Sequence, residues 1–545
     1  MATLLDSLSL RDRIAQLIMP WVPGSYTADD TPAFQRELRW VDSLHVGGII
    51  VSVGSPTDIA ARINALQRAA PLPLLIASDF ESGTSIRLDG GTFFPPNMGV
   101  AAGGRDSDAR LIGRVTAQEG RAVGVHMAFA PAADVNNNPA NPIINTRSFS
   151  EDPSIVARFT AAAVRGLEEN GMLATIKHFP GHGDTETDSH LALPVIGADW
   201  QRLDSLELIP FQAGIDAGAS AVMSAHIALP RLDAGRTRPA TVVPEVLTGI
   251  LRDSLGFEGL TVTDALNMQG VVSLFGAGEA SVLALLAGAD LLLMPANAGE
   301  AIDALVAAVD EGRVTEDRVN RSVRKLLDIK RDLGLFRHRL VSLDSVMDHV
   351  GRQENVLAAE AIAARSIVLA ADDGTADSLR AAPRDIALVQ YGEGTAASVG
   401  SVFAAELRAG GHSVTALRLN AQSGPASYDS VRTELERHPY ALFAVAVRPV
   451  AWKGSIGLPE ALTALIDSSA AARPSMLVSF GSPYIYSATP SMQSYLVGWT
   501  ANPVSERAAA RVLTGAAVSG RLPASIPPRL PFGAGLIRDS VKGNR

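Results

Sequence analysis

The feature that most constrains this chain is a rhythm. Short apolar runs rich in β-branched residues recur at 46–53, 72–79, 127–135, 172–179, 221–227, 260–264 and 289–294. Helical stretches separate most of them, at 58–69, 107–123, 153–170, 201–217 and 278–288. Continuous apolar strands alternating with amphipathic helices indicate a parallel sheet covered on both faces. Seven or eight such units over about 330 residues fit a (β/α)8 barrel, with an open doubly wound sheet as the rival. A helix over 8–20 opens the fold, with Ser9 as its N-cap and Ile14, Leu17 and Ile18 at helical spacing.

Helical pattern continues through 300–333, and the mixed segment after it reads as a linker. A second α/β series then starts, with strands expected at 366–370, 385–391, 413–419, 441–447, 475–480 and 495–499. The chain thus reads as an α/β protein: a catalytic barrel over 1–340, a linker over 341–360 and a smaller α/β sandwich over 361–545. A length of 545 residues demands such a division, because single cores stop growing well short of it. Gly392-Glu393-Gly394-Thr395 lacks the glycine spacing of a dinucleotide fingerprint and the lysine of a P-loop, and reads as a strand-to-helix turn.

The strand candidates share a second property: they end in polar, reactive residues. Asp79, Asp134, Lys177 with His178, His226 and Asp264 each close an apolar run. Any one alone would pass as a loop or cap residue. In a parallel barrel all strand C-termini lie on one face, so the five positions converge on one mouth.

Composition narrows the chemistry. A net charge of −10 argues against a nucleic-acid or anionic-membrane surface. The absence of cysteine removes disulfides, thiolate metal sites and thiol catalysis, and leaves the compartment open. No apolar run reaches the roughly 18 residues of a membrane span. The opening residues carry no basic, apolar leader pattern, so no signal peptide is expected in the chain as given. Localisation and oligomeric state stay open.

The densest stretch is Lys177 to His190, KHFPGHGDTETDSH, where three of the ten histidines and three carboxylates fall within fourteen residues. Asp188 and His190 are two apart. A carboxylate beside an imidazole orients it and favours its protonated form, and a histidine so paired can give a proton to a leaving group and later take one from water. Asp264 is the best third partner, as nucleophile or charge stabiliser. A metal cluster of His178, His182, Asp184, Asp188 and His190 is the competing reading. Pro180 and the glycines preclude the helical His spacing such sites use, so no metal and no cofactor are expected.

These residues carry a resemblance. Lys177 to Thr185 followed by Asp188-Ser189-His190 resembles the signature of the β-N-acetylglucosaminidases of glycoside hydrolase family 3. Ala130 to Asn136, Asn145 to Phe149, Val262 to Leu266, Gly498 to Thr500 and Ser519 to Pro523 resemble further blocks of the two-domain members. The resemblance implies a retaining, two-step hydrolysis. Asp264 would attack the anomeric carbon, and His190, held by Asp188, would act as acid and base. Most retaining enzymes use two carboxylates for these tasks. It also implies that Asp79, Arg87, Arg147, Lys177 and His178 hold the terminal sugar, with Asp134 orienting Arg147 or Lys177. The family commonly reads Asp-x-Glu-Gly-Gly before its arginine. Here Phe80 and Ser82 depart from that pattern between Asp79 and Arg87, which puts the pocket rim in question.

The activity expected is exo-acting release of N-acetylglucosamine from GlcNAc-containing cell-wall fragments or small chitooligosaccharides. A family 3 β-glucosidase, which usually takes a Glu acid/base from its second domain, and a phosphorylase are the enzymatic rivals. A catalytically silent sugar-binding protein on the same fold would be expected to have lost Asp264 or His190.

Overall fold

The computed structural model describes residues 2–449 and 456–541, and the chain folds as two compact units. The first comprises Met1–Thr92, Ala109–Val135 and Val156–Gln353; the second comprises Phe93–Asp108, Asn136–Ile155 and Glu354–Arg545. The division is therefore not a single cut. Periodicity reports elements, and the excursions 93–108 and 136–155 carry only short helical pieces, such as Asn97–Ala102 and the turn Asn145–Arg147, whose patterns do not say which unit they join. Residues 341–351, read as part of a linker, are fastened to the first unit: Val341 exchanges hydrogen bonds with Asn64, and Gly351 N donates to Glu119.

In the first unit, strands β2 (Trp21–Val22), β3 (Gly48–Val51), β4 (Leu75–Ser78), β5 (Met127–Ala128), β6 (Leu173–Phe179), β7 (Ala221–Ser224) and β8 (Leu260–Val262) form one parallel sheet in that order. Strands β1 (Ile18–Met19) and β9 (Leu292–Leu293) pair with each other, and Val262 bridges in parallel to Leu291. Among the described residues this closes the ring, because β1 and β2 are one extended segment. Leu17 and Met19 offer their carbonyls to β9, while Pro20 and Val22 offer theirs to β3. The period of two runs unbroken through Pro20, whose missing N–H interrupts the strand assignment but not the pleat.

This segment corrects one expectation. The helix read over 8–20 ends at Ala15, and residues from Leu17 onward are the first barrel strand. Ser9 does cap the helix, accepting from Asp12 N. Leu17 and Ile18 matched the helical spacing of Ile14 by coincidence; barrel closure, not local propensity, decides their conformation.

Alternate residues separate inside from outside. Met19, Ile50, Ala77, Met223 and Val262 pack together in the barrel interior, while Ile49, Val51, Ile76, Val222 and Leu292 pack beneath the helices. This explains why the strands read as continuous apolar runs.

The second unit holds a six-stranded sheet in the order β10-β15-β14-β13-β11-β12, made of β10 (Val368–Ala371), β11 (Asp385–Gly392), β12 (Ser413–Leu419), β13 (Tyr440–Ala446), β14 (Ser475–Ser479) and β15 (Ser494–Val497). Apolar clusters cover both faces. All pairs are parallel except β10 with β15, which gives the sheet an antiparallel edge. Strand direction leaves no trace in periodicity. The turn after β11 is a short 3-10 segment, Gly394–Ala396. Among the described residues no single helix is long and apolar enough to cross a membrane.

Candidate active site

The interior face of the barrel sets the site. Asp79 follows Ala77 by two on β4, Lys177 follows Leu173 by four on β6, and Asp264 follows Val262 by two on β8, so strand parity turns all three inward at the C-terminal ends. Lys177 is the buried centre of one side. Its Nζ lies 3.1 Å from Asp79 Oδ1 and 2.6 Å from Glu81 Oε1. Arg87 Nη2 reaches Asp79 Oδ2 at 3.5 Å. Asp79 and Arg87 are each about one-third exposed, 35% and 33%, so both keep polar atoms available to a ligand.

Glu81 was not singled out from the sequence, although a second carboxylate two residues past the strand end was its signal. The departure at Phe80 is a core substitution. Its ring is buried against Gly120, where an added Cβ would come within 2.9 Å of it, so the change does not touch the rim. Behind this loop, buried Glu119 accepts from Thr92 N and from the hydroxyls of Thr84 and Thr92, fixing the path from Asp79 to Thr92.

Asp134 organises backbone and ring groups at the end of β6 and just past it. Its Oδ2 accepts from His178 Nδ1 at 2.8 Å, and its Oδ1 accepts the backbone N–H groups of His178 at 3.1 Å and His182 at 2.8 Å. These bonds tie it to His178 and His182. Burial would raise this carboxyl, but the two imidazoles and the His182 N–H hold it below the usual carboxylate range. With Nδ1 donating to Asp134, His178 turns Nε2 away from it.

The Asp188–His190 pair is formed. Asp188 is buried, and its Oδ1 accepts both the His190 backbone N–H at 2.9 Å and Nδ1 at 2.8 Å. An acceptor-only carboxylate takes the Nδ1–H, so Nε2 is the nitrogen that can serve a ligand, donating when the ring is the imidazolium and accepting when it is neutral. The imidazole is 27% exposed. Its loop lies against the helix that follows Asp264: a Cβ on Gly270 would come 3.3 Å from the Ser189 carbonyl.

Asp264 accepts from Ala265 N at 2.7 Å. Burial would raise its pKa, but His226, His178, the Ala265 N–H and Lys177 outweigh burial and bring it down to about 2. His226 is itself pushed down by burial, against the pull of Asp264 and of the Ala265 carbonyl. Thr263, the residue before Asp264, accepts from Leu293 N with its hydroxyl.

His226 is the residue whose importance the sequence reading understated. It is fully buried, with Nε2 bonded to the Ala265 carbonyl at 3.0 Å and Nδ1 to Thr241 Oγ1 at 2.8 Å. Asp264, His190 and His178 all lie close enough to act on it electrostatically. It therefore marks the point where the nucleophile candidate and the two ligand-facing histidines meet, and it pins the Asp264–Ala265 peptide.

Arg147 belongs to the second unit, at the end of the 3-10 turn Asn145–Arg147, where its carbonyl accepts from Asn97 Nδ2 and its Nη1 donates to the Ile143 carbonyl. Its sugar-binding role stays an implication of the resemblance. Among the described residues no group of three His, Asp or Glu is arranged to hold a metal ion. The loop's histidines at 178 and 190 are tied one by one to carboxylates, and His182 Nδ1 to Thr185.

The mouth of this parallel barrel thus gathers an ionised aspartate, a carboxylate-held histidine and a set of ion-paired polar side chains, groups suited to hydrolysing a glycosidic bond. The description "Glycosyl hydrolase family 3 N terminal domain" matches residues 9–329. The chain belongs to glycoside hydrolase family 3 and is a glycoside hydrolase. A "Beta-N-acetylglucosaminidase/beta-glucosidase" from Cellulomonas fimi is 30% identical over 480 residues, 85% of each chain. The solved structure of a family 3 β-N-acetylglucosaminidase from Paenibacillus sp. str. FPU-7 has a TM-score of 0.84 at 32% identity, covering 95% of this chain and 99% of that one. A structure of a "Beta-glucoside phosphorylase BglX" bound to 2FGlc has a TM-score of 0.87 at 27% identity, covering 96% of both.

Proposed function

We propose that the protein is an exo-acting, retaining β-N-acetylglucosaminidase that removes terminal GlcNAc from peptidoglycan fragments or chitooligosaccharides. The observation that carries this reading is the buried Asp188 holding His190 by Nδ1 beside an ionised Asp264. In the first step an Asp264 oxygen bonds to the anomeric carbon while the glycosidic bond breaks. The His190 Nε2 proton goes to the leaving oxygen. In the second step Nε2 takes a proton from water, the water oxygen bonds to the anomeric carbon, and Asp264 departs as carboxylate. Asp79, Arg87, Lys177 and His178 hold the sugar hydroxyls and carbonyl, the carboxylate accepting and the cations donating. Arg147 is assigned to the same task. The names of the relatives from Cellulomonas and Paenibacillus support the glycone.

Turnover of the 4-nitrophenyl β-N-acetylglucosaminide and β-glucoside by wild type and His190→Ala tests the reading. Preference for the first, with His190→Ala severely slowed on a disaccharide, is expected. Preference for the glucoside, or a fully active His190→Ala, moves the acid/base to a carboxylate of the second unit. A phosphorolytic reading has one specific support: an imidazole does not repel incoming phosphate as a carboxylate does. Sugar 1-phosphate formed when phosphate is added would establish it.

A further inference from the structure

One large aromatic, Trp21, takes no part in the mechanism and faces the chemistry. Trp21 lies on β2, and its register partner is Ile50 of β3, whose own partner is Ala77 of β4. Ile50 and Ala77 are buried interior residues of the barrel. Residues paired laterally in a parallel sheet point to the same face, and Met19, two residues before Trp21, is also interior. The carbonyls of Leu17 and Met19 turn to one neighbour and those of Pro20 and Val22 to the other, so no bulge intervenes to rotate Trp21 outward. Val22 packs under the helices, as the alternation requires.

Trp21 thus points into the barrel, and yet it is 41% exposed, against 3% for Ile50 and 0% for Ala77 at the same level. Asp79 is the next interior position after Ala77, so the exposed indole lies on the same inner face of the barrel as Asp79, Lys177 and Asp264. Those three groups offer only charge and hydrogen bonds. A pyranose also presents a face of C–H bonds, which needs an apolar surface, and among the described residues no other large exposed aromatic lies within the barrel strands.

We propose that Trp21 is the stacking platform for the terminal sugar ring, a specificity-determining residue of the glycone pocket; this rests on the glycosidase reading above. Its indole would lie against the C–H face while Asp79 and Lys177 bind the ring's polar edge.

The test uses the full chain as Trp21→Ala, Trp21→Phe and Trp21→Leu, with 4-nitrophenyl β-N-acetylglucosaminide as substrate and free GlcNAc as competitive inhibitor. Losing one aromatic face should raise KM and the GlcNAc inhibition constant together by about 10-fold in the Ala and Leu variants. Phe should recover most of both, and the thermal midpoint should hardly move, since the side chain is substantially exposed. Unchanged inhibition by GlcNAc in Trp21→Ala overturns the proposal, as does a Leu variant that matches Phe. If Trp21→Ala proves unstable, the Phe–Leu comparison decides, because both are large and apolar and only Phe offers a ring. A wild type that turns over neither aryl glycoside would instead count against the glycosidase reading, so the two failures are distinct.

Discussion

Replacing Lys330 by Met should stabilise this protein at neutral pH and lose that advantage in base. Lys330 is fully buried near the base of the barrel, and its Nζ has one hydrogen-bond partner, Gln16 Oε1 at 2.7 Å. Burial lowers its pKa from 10.5 to about 7. The unfolded chain therefore binds this proton up to about pH 10.5, while the folded chain releases it above about 7. Stability rises with pH across that interval, and the penalty is fully present below it. A shift of about 3.5 units corresponds to about 5 kcal/mol at low pH, about 4 at pH 7 and about 2 at pH 9. Met keeps the length and apolar volume but forfeits one hydrogen bond and strands Gln16 Oε1, about 2 kcal/mol together. The variant should thus be about 2 kcal/mol more stable at pH 7 and about equal to wild type at pH 9. Urea unfolding followed by tryptophan fluorescence at the two pH values reads the difference. A Met variant less stable than wild type by the same amount at both pH values would refute the reasoning, since it would mean that Lys330 carries no buried-charge penalty.

Asp134→Asn should cut kcat/KM by about 10- to 100-fold, because the charge-assisted bond that orients His178 is worth about 1.5–3 kcal/mol; steady-state kinetics on the aryl N-acetylglucosaminide check it. Asp264 is held ionised to about pH 2, so the acid limb of kcat/KM should not report its titration anywhere above about pH 3, which a pH–rate profile reads directly. Its depressed carboxyl also contributes about 2 kcal/mol of stability above pH 3.8, lost as pH falls through about 2. Wild type should therefore gain more from pH 2 to pH 5 in thermal scans than Asp264→Asn does.

Much of this site could be read before any coordinates, for a physical reason. Parallel barrel strands are apolar throughout, so a titratable residue at the end of such a run is conspicuous, and Asp79, Lys177, His178 and Asp264 stood out in this way. Asp188 and His190 were legible because a carboxylate can reach an imidazole two residues away on a loop. What escaped depends on long-range closure. The first strand was hidden in a helical spacing, and with it Trp21, whose inward direction follows only from its register against Ile50. Glu81 needed Lys177 of a distant strand to show its purpose, and His226 needed the Ala265 carbonyl. The membership of 93–108 and 136–155 in the second unit, and with it Arg147, is a matter of packing that local sequence does not encode.

The central claim is that Asp264 bonds to the sugar. Incubation with a 5-fluoro-N-acetylglucosaminyl fluoride, which slows the second step, followed by peptide mapping, tests it most directly. One added fluorosugar is expected on the peptide that carries Asp264, and none in Asp264→Asn. A sugar on another carboxylate, or release of product with inverted anomeric configuration and no adduct, would contradict it.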